Sequence, residues 1–389
     1  MSLATTQLIL DTLKDKQTPD QWESVFLNAG GDWDDLVLHA IVLGLAPQLY
    51  NRLSHWQLKP PTRTRAKLLA AHTAQAERNT AIYHQLGEFL SLCEAQAIHP
   101  IALKGVHLAA CYYAEPALRP MNDIDLLFTP TELPIAEATL QQLGYGGKYK
   151  SADMGAGVTK HTSTFRRTGT ADGGTSNPYL SADSDRTIEP HTSLEESWFG
   201  LKVDITSGIR DRAQTADLTN HTCLVLAPED LLLHLCLHFC FHLIQGAPSM
   251  VQLLDLLTVC QKQLVDWDTF VERAAHYKAT PFALAGLTLA AKLLAAPVPV
   301  SVLDRLGQAT AAPMRRYIDT LNLHYIWERS QQKPLTTIQQ RIQRGFLDRA
   351  ETARWAVDWH GRFQVWRTLF QPGRTDTGQM ILQQIRRNS

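Results

Sequence analysis

Residues 101–128 read IALKGVHLAACYYAEPALRPMNDIDLLF. An apolar run from Pro100 to Leu103 ends at Lys104-Gly105, which predicts a strand entering a turn. Val106 to Ala114 predicts a short helix, and Asp123 to Phe128 a second strand. Asp123 and Asp125 alternate in that strand. A period of two sets both carboxylates on one face and turns Ile124 into the core. Adjacent carboxylates repel unless positive charge lies between them. A hard divalent cation meets that need, and Mg²⁺ takes carboxylate oxygens together with phosphates and water. The turn at Lys104-Gly105 can bring backbone N–H groups to phosphate oxygens at the start of a helix, where Lys104 adds positive charge. Arg119, just upstream of Asp123, can neutralise a triphosphate through its planar fork. A lone Asp-x-Asp is weak evidence and reads equally well as an exposed edge strand. The ordered series of strand, glycine turn, short helix, Arg and Asp-x-Asp is much more specific.

Outward from this stretch the chain is helical on both sides. Trp33 to Leu53 carries a broad apolar stripe interrupted by Gly44 and Pro47, so a break is expected near Ala46. Thr62 to Ala97 has the composition of one long helix or two stacked ones. A helix is predicted over 131–143, and further strands near 161–167, 187–191 and 202–206. Residues 169–185 are rich in Gly, Ser, Thr and Asp and read as a surface loop. From Pro228 onward the pattern is helical again, at about 230–245, 249–263, 267–278, 281–295 and 299–308, with basic helices closing the chain. The expected division is a helical region 1–98, an α/β core 99–210, a helical domain 211–308 packing on that core, and a basic helical region 309–389.

The stretch 101–128 resembles the core of the DNA polymerase β-type nucleotidyltransferases, and more narrowly a bacterial group of uncharacterised nucleotidyltransferases. That group shows a strand ending in Leu-Lys-Gly, an Arg, then Asp-Ile-Asp-Leu-Leu. Ile188-Glu-Pro-His191 is similar to its Glu-x-His strand, and Ala227 to Phe239, Leu253 to Asp255 and Asp266 to Asp268 resemble its helical part. The resemblance implies an α+β fold, with a polymerase β-like core of mixed sheet and helices between N- and C-terminal helical regions. It also implies an NTP donor, released pyrophosphate and a pair of Mg²⁺ or Mn²⁺ ions. Carried over by position, Asp123 and Asp125 would hold the metals, while Lys104, Gly105 and Arg119 would handle the triphosphate. A third carboxylate is needed. Glu189 matches the Glu-x-His strand, with His191 on its face as a support for substrate or metal site; Asp204 is the alternative, since alternation does not choose between them. Two features depart from the superfamily: Val106 follows Gly105 where Ser or Gly is usual, and the gap to Asp123 is long.

Composition narrows the function. The 389 residues are 44% hydrophobic and 19% charged, with a formal charge of −1, which suits a folded chain with a sizeable core. Such a balance disfavours a nucleic-acid-coating protein. The segment from Arg305 onward is nevertheless basic, with 13 Arg and 1 Lys against 6 acids, and keeps a tRNA-like acceptor among the alternatives to a small molecule, peptide or protein. No long apolar run predicts a membrane span, and the first residues lack the features of a signal peptide. The 6 cysteines are scattered, so the expectation is a reduced, cytoplasmic protein. His234, His238 and His242 share a helix face and could chelate a transition metal, although Leu and Phe surround them and the Glu of a His-Glu-x-x-His motif is missing. The rival readings are therefore a metal-dependent hydrolase using that helix, and a non-catalytic nucleotide-binding module.

Overall fold

The two apolar runs of the 101–128 stretch become neighbouring strands in the middle of one sheet. The computed structural model describes residues 2–149, 163–167, 187–262, 264–331 and 337–370. Its strands are β1 (Ile101–Ala102), β2 (Asp123–Leu127), β3 (Tyr145–Tyr149), β4 (Ser163–Arg167), β5 (Thr187–His191), β6 (Glu195–Trp198), β7 (Leu201–Asp204), β8 (Gln214–Asp217) and β9 (Thr222–Val225). Seven form a mixed sheet in the order β3-β4-β5-β2-β1-β9-β8. β2 runs parallel to β5 and antiparallel to β1, which in turn runs parallel to β9. β6 and β7 make a separate antiparallel pair.

One face of the sheet is apolar. Ile124 and Leu126 of β2 and Ile188 of β5 are buried with Ile82, Leu86 and Phe89 of the helix Thr62–Ala95 in a single cluster. That segment forms one continuous helix of 34 residues, as its lack of internal Pro and its Ala/Leu/Gln content favour. Asp123, Asp125, Glu189 and His191 take the alternate positions, so they share the opposite face.

A second, larger cluster joins the N-terminal helices to those that follow Pro228, through residues such as Leu36, Leu49, Leu233, Phe241, Phe282 and Trp355. The predicted break near Ala46 is present: Trp33–Val42 and Ala46–His55 are separate helices, and Gly44 between them has φ +72°, which only glycine adopts without strain. The later helices lie at Pro228–Gln245, Met250–Gln261, Trp267–His276, Thr280–Leu294 and Val300–Gln308. The last of the described chain adds Ala312–Thr320, Leu323–Ser330, Ile338–Trp355 and Trp359–Arg367. Among the described residues no helix is long and apolar enough to cross a membrane.

Two expectations change. The strand expected near 202–206 is β7, paired only with β6 and outside the main sheet. β8 and β9, not anticipated, continue the sheet to Val225, past the boundary expected at 210. Their sequence QTAD…TCLV lacks the long β-branched run that marks a strand, and pairing with β1 supplies what propensity does not. The expected loop 169–185 lies outside the described residues.

Candidate active site

The site forms where β2 and β5 lie side by side. Their parallel register sets Asp125 opposite Glu189, and Asp123 opposite Thr187. Side chains on one face of paired strands stand close, so this register alone brings the carboxylates of Asp125 and Glu189 together. Ligand atoms of Asp125, Glu189 and His191 lie within 4.8 Å of one another. Thr164 of β4 donates its hydroxyl to Glu189 Oε1 at 3.1 Å. The alternative carboxylate, Asp204, lies on β7 and accepts from the Thr206 backbone N–H at 2.9 Å, away from the sheet that carries the pair.

Asp125 is the hub. His191 Nε2 meets its Oδ1 at 2.7 Å, which requires that nitrogen to carry the proton. The Lys104 ammonium meets its Oδ2 at 3.1 Å. Burial works to raise the Asp125 pKa, but Lys104 and His191 outweigh it and hold the carboxyl well below its usual range. Among the described residues Asp123 has no hydrogen-bonded or ion-paired partner of this kind. Burial, then the Asp125 charge, push it up to about 7. For Lys104, burial favours the neutral amine, yet Asp125, Asp123 and Glu196 together keep the ammonium and raise its pKa.

The turn that delivers Lys104 differs from the expected glycine turn. Lys104 itself has φ +37°, a left-handed conformation that strains a residue with a side chain by about 1–3 kcal/mol. Gly105 is the second residue of the helix Lys104–Cys111. Its glycine answers to close packing: a Cβ there would lie 2.7 Å from Arg119 Nη1. The backbone N–H of Leu103 donates to the Asp125 carbonyl at 3.0 Å and ties this turn to β2.

Arg119 departs from its expected place on a triphosphate. Its guanidinium forks onto Asp255, with Nε to Oδ1 at 3.2 Å and Nη2 to Oδ2 at 2.9 Å, and Nη1 donates to the Pro120 carbonyl at 3.2 Å. Tyr113 donates to Asp255 Oδ1 at 2.7 Å. Burial disfavours the Arg119 cation but Asp255 outweighs it, so its pKa rises. With every nitrogen of Arg119 engaged, its guanidinium balances the buried Asp255, whose charge would otherwise be unpaired in the core. Sequence reasoning missed Asp255 as a partner. The available signal was an Asp inside the apolar run MVQLLDLLTVCQ, since buried charges require pairing.

The histidine-rich helix does not form a metal centre of its own among the described residues; the converging ligand group there is Asp125, Glu189 and His191. His238 Nδ1 meets Glu196 Oε1 at 3.0 Å, and His242 Nδ1 faces the Ala247 carbonyl at 3.3 Å. Glu196 is buried on β6 and contributes to the field at Lys104, so this pair borders the site.

The donor set suits a hard divalent cation. Asp125 and Glu189 offer converging carboxylate oxygens, and Asp123 adds a third carboxylate on the same face but outside that converging group, together more negative charge than Lys104 offsets. Imidazole is a poor partner for Mg²⁺, and His191 is already oriented on Asp125.

The family described as "Uncharacterised nucleotidyltransferase" matches residues 29–295. Among solved structures the chain is similar to the antibiotic-resistance factor ANT(2'')-Ia, at 10% identity and a TM-score of 0.36, over 54% of this chain and 98% of that one; a likeness so distant carries no functional argument. None of the curated proteins matches. The match spans the helical entry, the whole central sheet and the helices that hold Asp255, and the chain belongs to the uncharacterised nucleotidyltransferase family.

Proposed function

We propose that the chain transfers a nucleotidyl group from an NTP to an acceptor and releases pyrophosphate, with Asp123, Asp125 and Glu189 holding Mg²⁺ or Mn²⁺. The observation that carries this reading is the register of β2 on β5, which sets Glu189 beside Asp125 and on the face of Asp123. When bound, the metal would offset the carboxylate charge and stabilise the entering and leaving oxygens of an in-line displacement.

The chain's own residues have distinct tasks in this reading. His191 orients Asp125 through its Oδ1, while Lys104 holds its Oδ2. Lys104, at the first turn of its helix, supplies the cation beside the pair and is the group positioned to meet a phosphate. Gly105 keeps that turn free of a Cβ. Thr164 orients Glu189, which in this reading takes the acceptor's proton as its oxygen or nitrogen attacks. Arg119 acts from behind, as part of the wall against which Gly105 packs. The acceptor is a small molecule, peptide or protein in preference to bulk nucleic acid, in keeping with the near-zero net charge.

The test is incubation with each α-labelled NTP and Mg²⁺ or Mn²⁺, alone and with cell extract. The expected result is label on an acceptor, stoichiometric pyrophosphate, and loss of both with Asp123→Asn and Glu189→Gln but not with Asp204→Asn. Nucleotide binding without label or pyrophosphate would instead support a non-catalytic binding module. The observation that favours that second reading is the saturation of Asp125 by Lys104 and His191.

A further inference from the structure

Away from the sheet, a cavity of about 430 Å³ opens between the helix Ala46–His55, the segment after Cys111, and the helix Met250–Gln261. That volume lies in the range of sites for small organic ligands, about 300–1,000 Å³. Arg52, His55 and Lys262 supply cationic or protonatable groups to its wall, against one carboxylate, Asp15. Asp15 is largely solvent-exposed at 67% and is already taken by Gln261 at 2.8 Å, so water screens its opposing charge. Arg52 is more enclosed at 25%. It reaches Asp15 only at 3.8 Å and donates weakly to the Leu13 carbonyl at 3.4 Å, which leaves guanidinium donors for a ligand. The Lys262 ammonium has no ion-pair partner among the described residues.

We propose that this cavity binds a small organic phosphate. Phosphate suits the wall because Arg52 offers a planar fork and Lys262 a point charge, the two cation geometries that phosphate oxygens accept. The cavity also leads inward. Tyr113 lines it and donates to Asp255, the counter-ion of Arg119. Gln48 lines it too and donates to the Leu118 carbonyl at 2.8 Å, one residue before Arg119. A ligand there presses on both the side-chain and main-chain supports of Arg119, which packs against Gly105 at the transfer site. Ligand and nucleotide are therefore coupled, and the coupling is reciprocal. The coupling, unlike the cavity, rests on the transferase reading.

The probe is ribose 5-phosphate, with ribose and inorganic phosphate as controls, titrated calorimetrically into the full chain without nucleotide. Saturable binding of ribose 5-phosphate is expected, with no binding of ribose and a loss of about tenfold in affinity in Arg52→Gln/Lys262→Gln. Lys262→Glu, at an exposed position, repeats the test where the double variant fails to fold. Equal affinity in a folded variant, or no saturable binding in the parent, overturns the proposal. Inorganic phosphate that binds as well as ribose 5-phosphate also overturns it, since the cavity would then recognise an ion alone. A non-hydrolysable NTP is then titrated with and without saturating ribose 5-phosphate; a changed affinity that Tyr113→Phe abolishes supports the coupling, and an unchanged one overturns it. A chain that binds ribose 5-phosphate but no nucleotide overturns the transferase reading and the coupling, and supports the cavity alone.

Discussion

Asp125 and Arg119 come from the same short stretch, and both are buried charges, but they are satisfied in opposite ways. Arg119 meets one carboxylate, Asp255, in a bidentate pair that Tyr113 completes. Asp125 sits among Asp123, Glu189, Lys104 and His191, where carboxylates outnumber the fixed cation. The first cluster is closed. The second carries surplus negative charge that a cation can relieve. Burial alone does not distinguish a structural charge from a chemical one; local charge balance does.

The largest effect that could break this contrast lies in the closed cluster. Asp255→Ala strands the Arg119 guanidinium, and urea unfolding is expected to show a loss of about 3–5 kcal/mol. Arg119→Met with Asp255→Leu should recover most of it, because two apolar groups need no partner. A fully stable Asp255→Ala would mean that Arg119 has another use. In the open cluster, Asp123→Asn and Asp125→Asn should each lower transfer about 10²–10³-fold. They should part in stability. Simple repulsion between two carboxylates predicts that either change relieves strain. Asp125, however, anchors Lys104, so Asp125→Asn is expected to cost about 1–3 kcal/mol in unfolding experiments, whereas Asp123→Asn leaves stability unchanged or raised.

Between the clusters runs the helix Lys104–Cys111, whose His107 is buried with no countercharge among the described residues; burial lowers its pKa to about 4. In the unfolded chain the imidazole titrates near its usual value of 6.5. Between those values the unfolded state binds the proton and the native state does not. Stability is thus fully present above about pH 6.5 and falls as pH drops toward 4, by up to about 3 kcal/mol. The unfolding free energy of His107→Phe should be flatter over that window. A change of about the size expected for Asp125→Asn is expected at the contact between the clusters: Gly105→Ala pushes on a guanidinium that Asp255 pins, for a cost of about 1–3 kcal/mol in thermal or urea unfolding.

Much of this was legible in residues 101–128. Alternation in Asp123-Ile-Asp125 gave the shared face, because strand geometry is local. The partner strand carrying Glu189 was legible as Ile188-Glu-Pro-His191, but its register on β2 depends on long-range pairing that no local pattern encodes. The use of Arg119 was not legible. Its counter-ion lies 136 residues away, and an arginine before an Asp-x-Asp looks the same whether it faces a phosphate or a carboxylate. Lys104-Gly105 misled for a related reason. A glycine in a turn suggests a positive φ, yet the lysine takes the left-handed conformation and the glycine makes room.

β1 consists of two residues, and they pair with Leu224 and Val225 of β9. During synthesis the quoted stretch therefore leaves the ribosome long before the strand that covers its open edge, and Asp255 follows later still. Contacts of such sequence separation form slowly, and an uncovered strand edge invites pairing with other chains. A nascent chain stopped short of Val225 would hold β1 and β2 without β9, and one stopped short of Asp255 would hold Arg119 without its counter-ion. The site is thus completed late in translation, and premature termination should yield insoluble fragments in place of partly active ones.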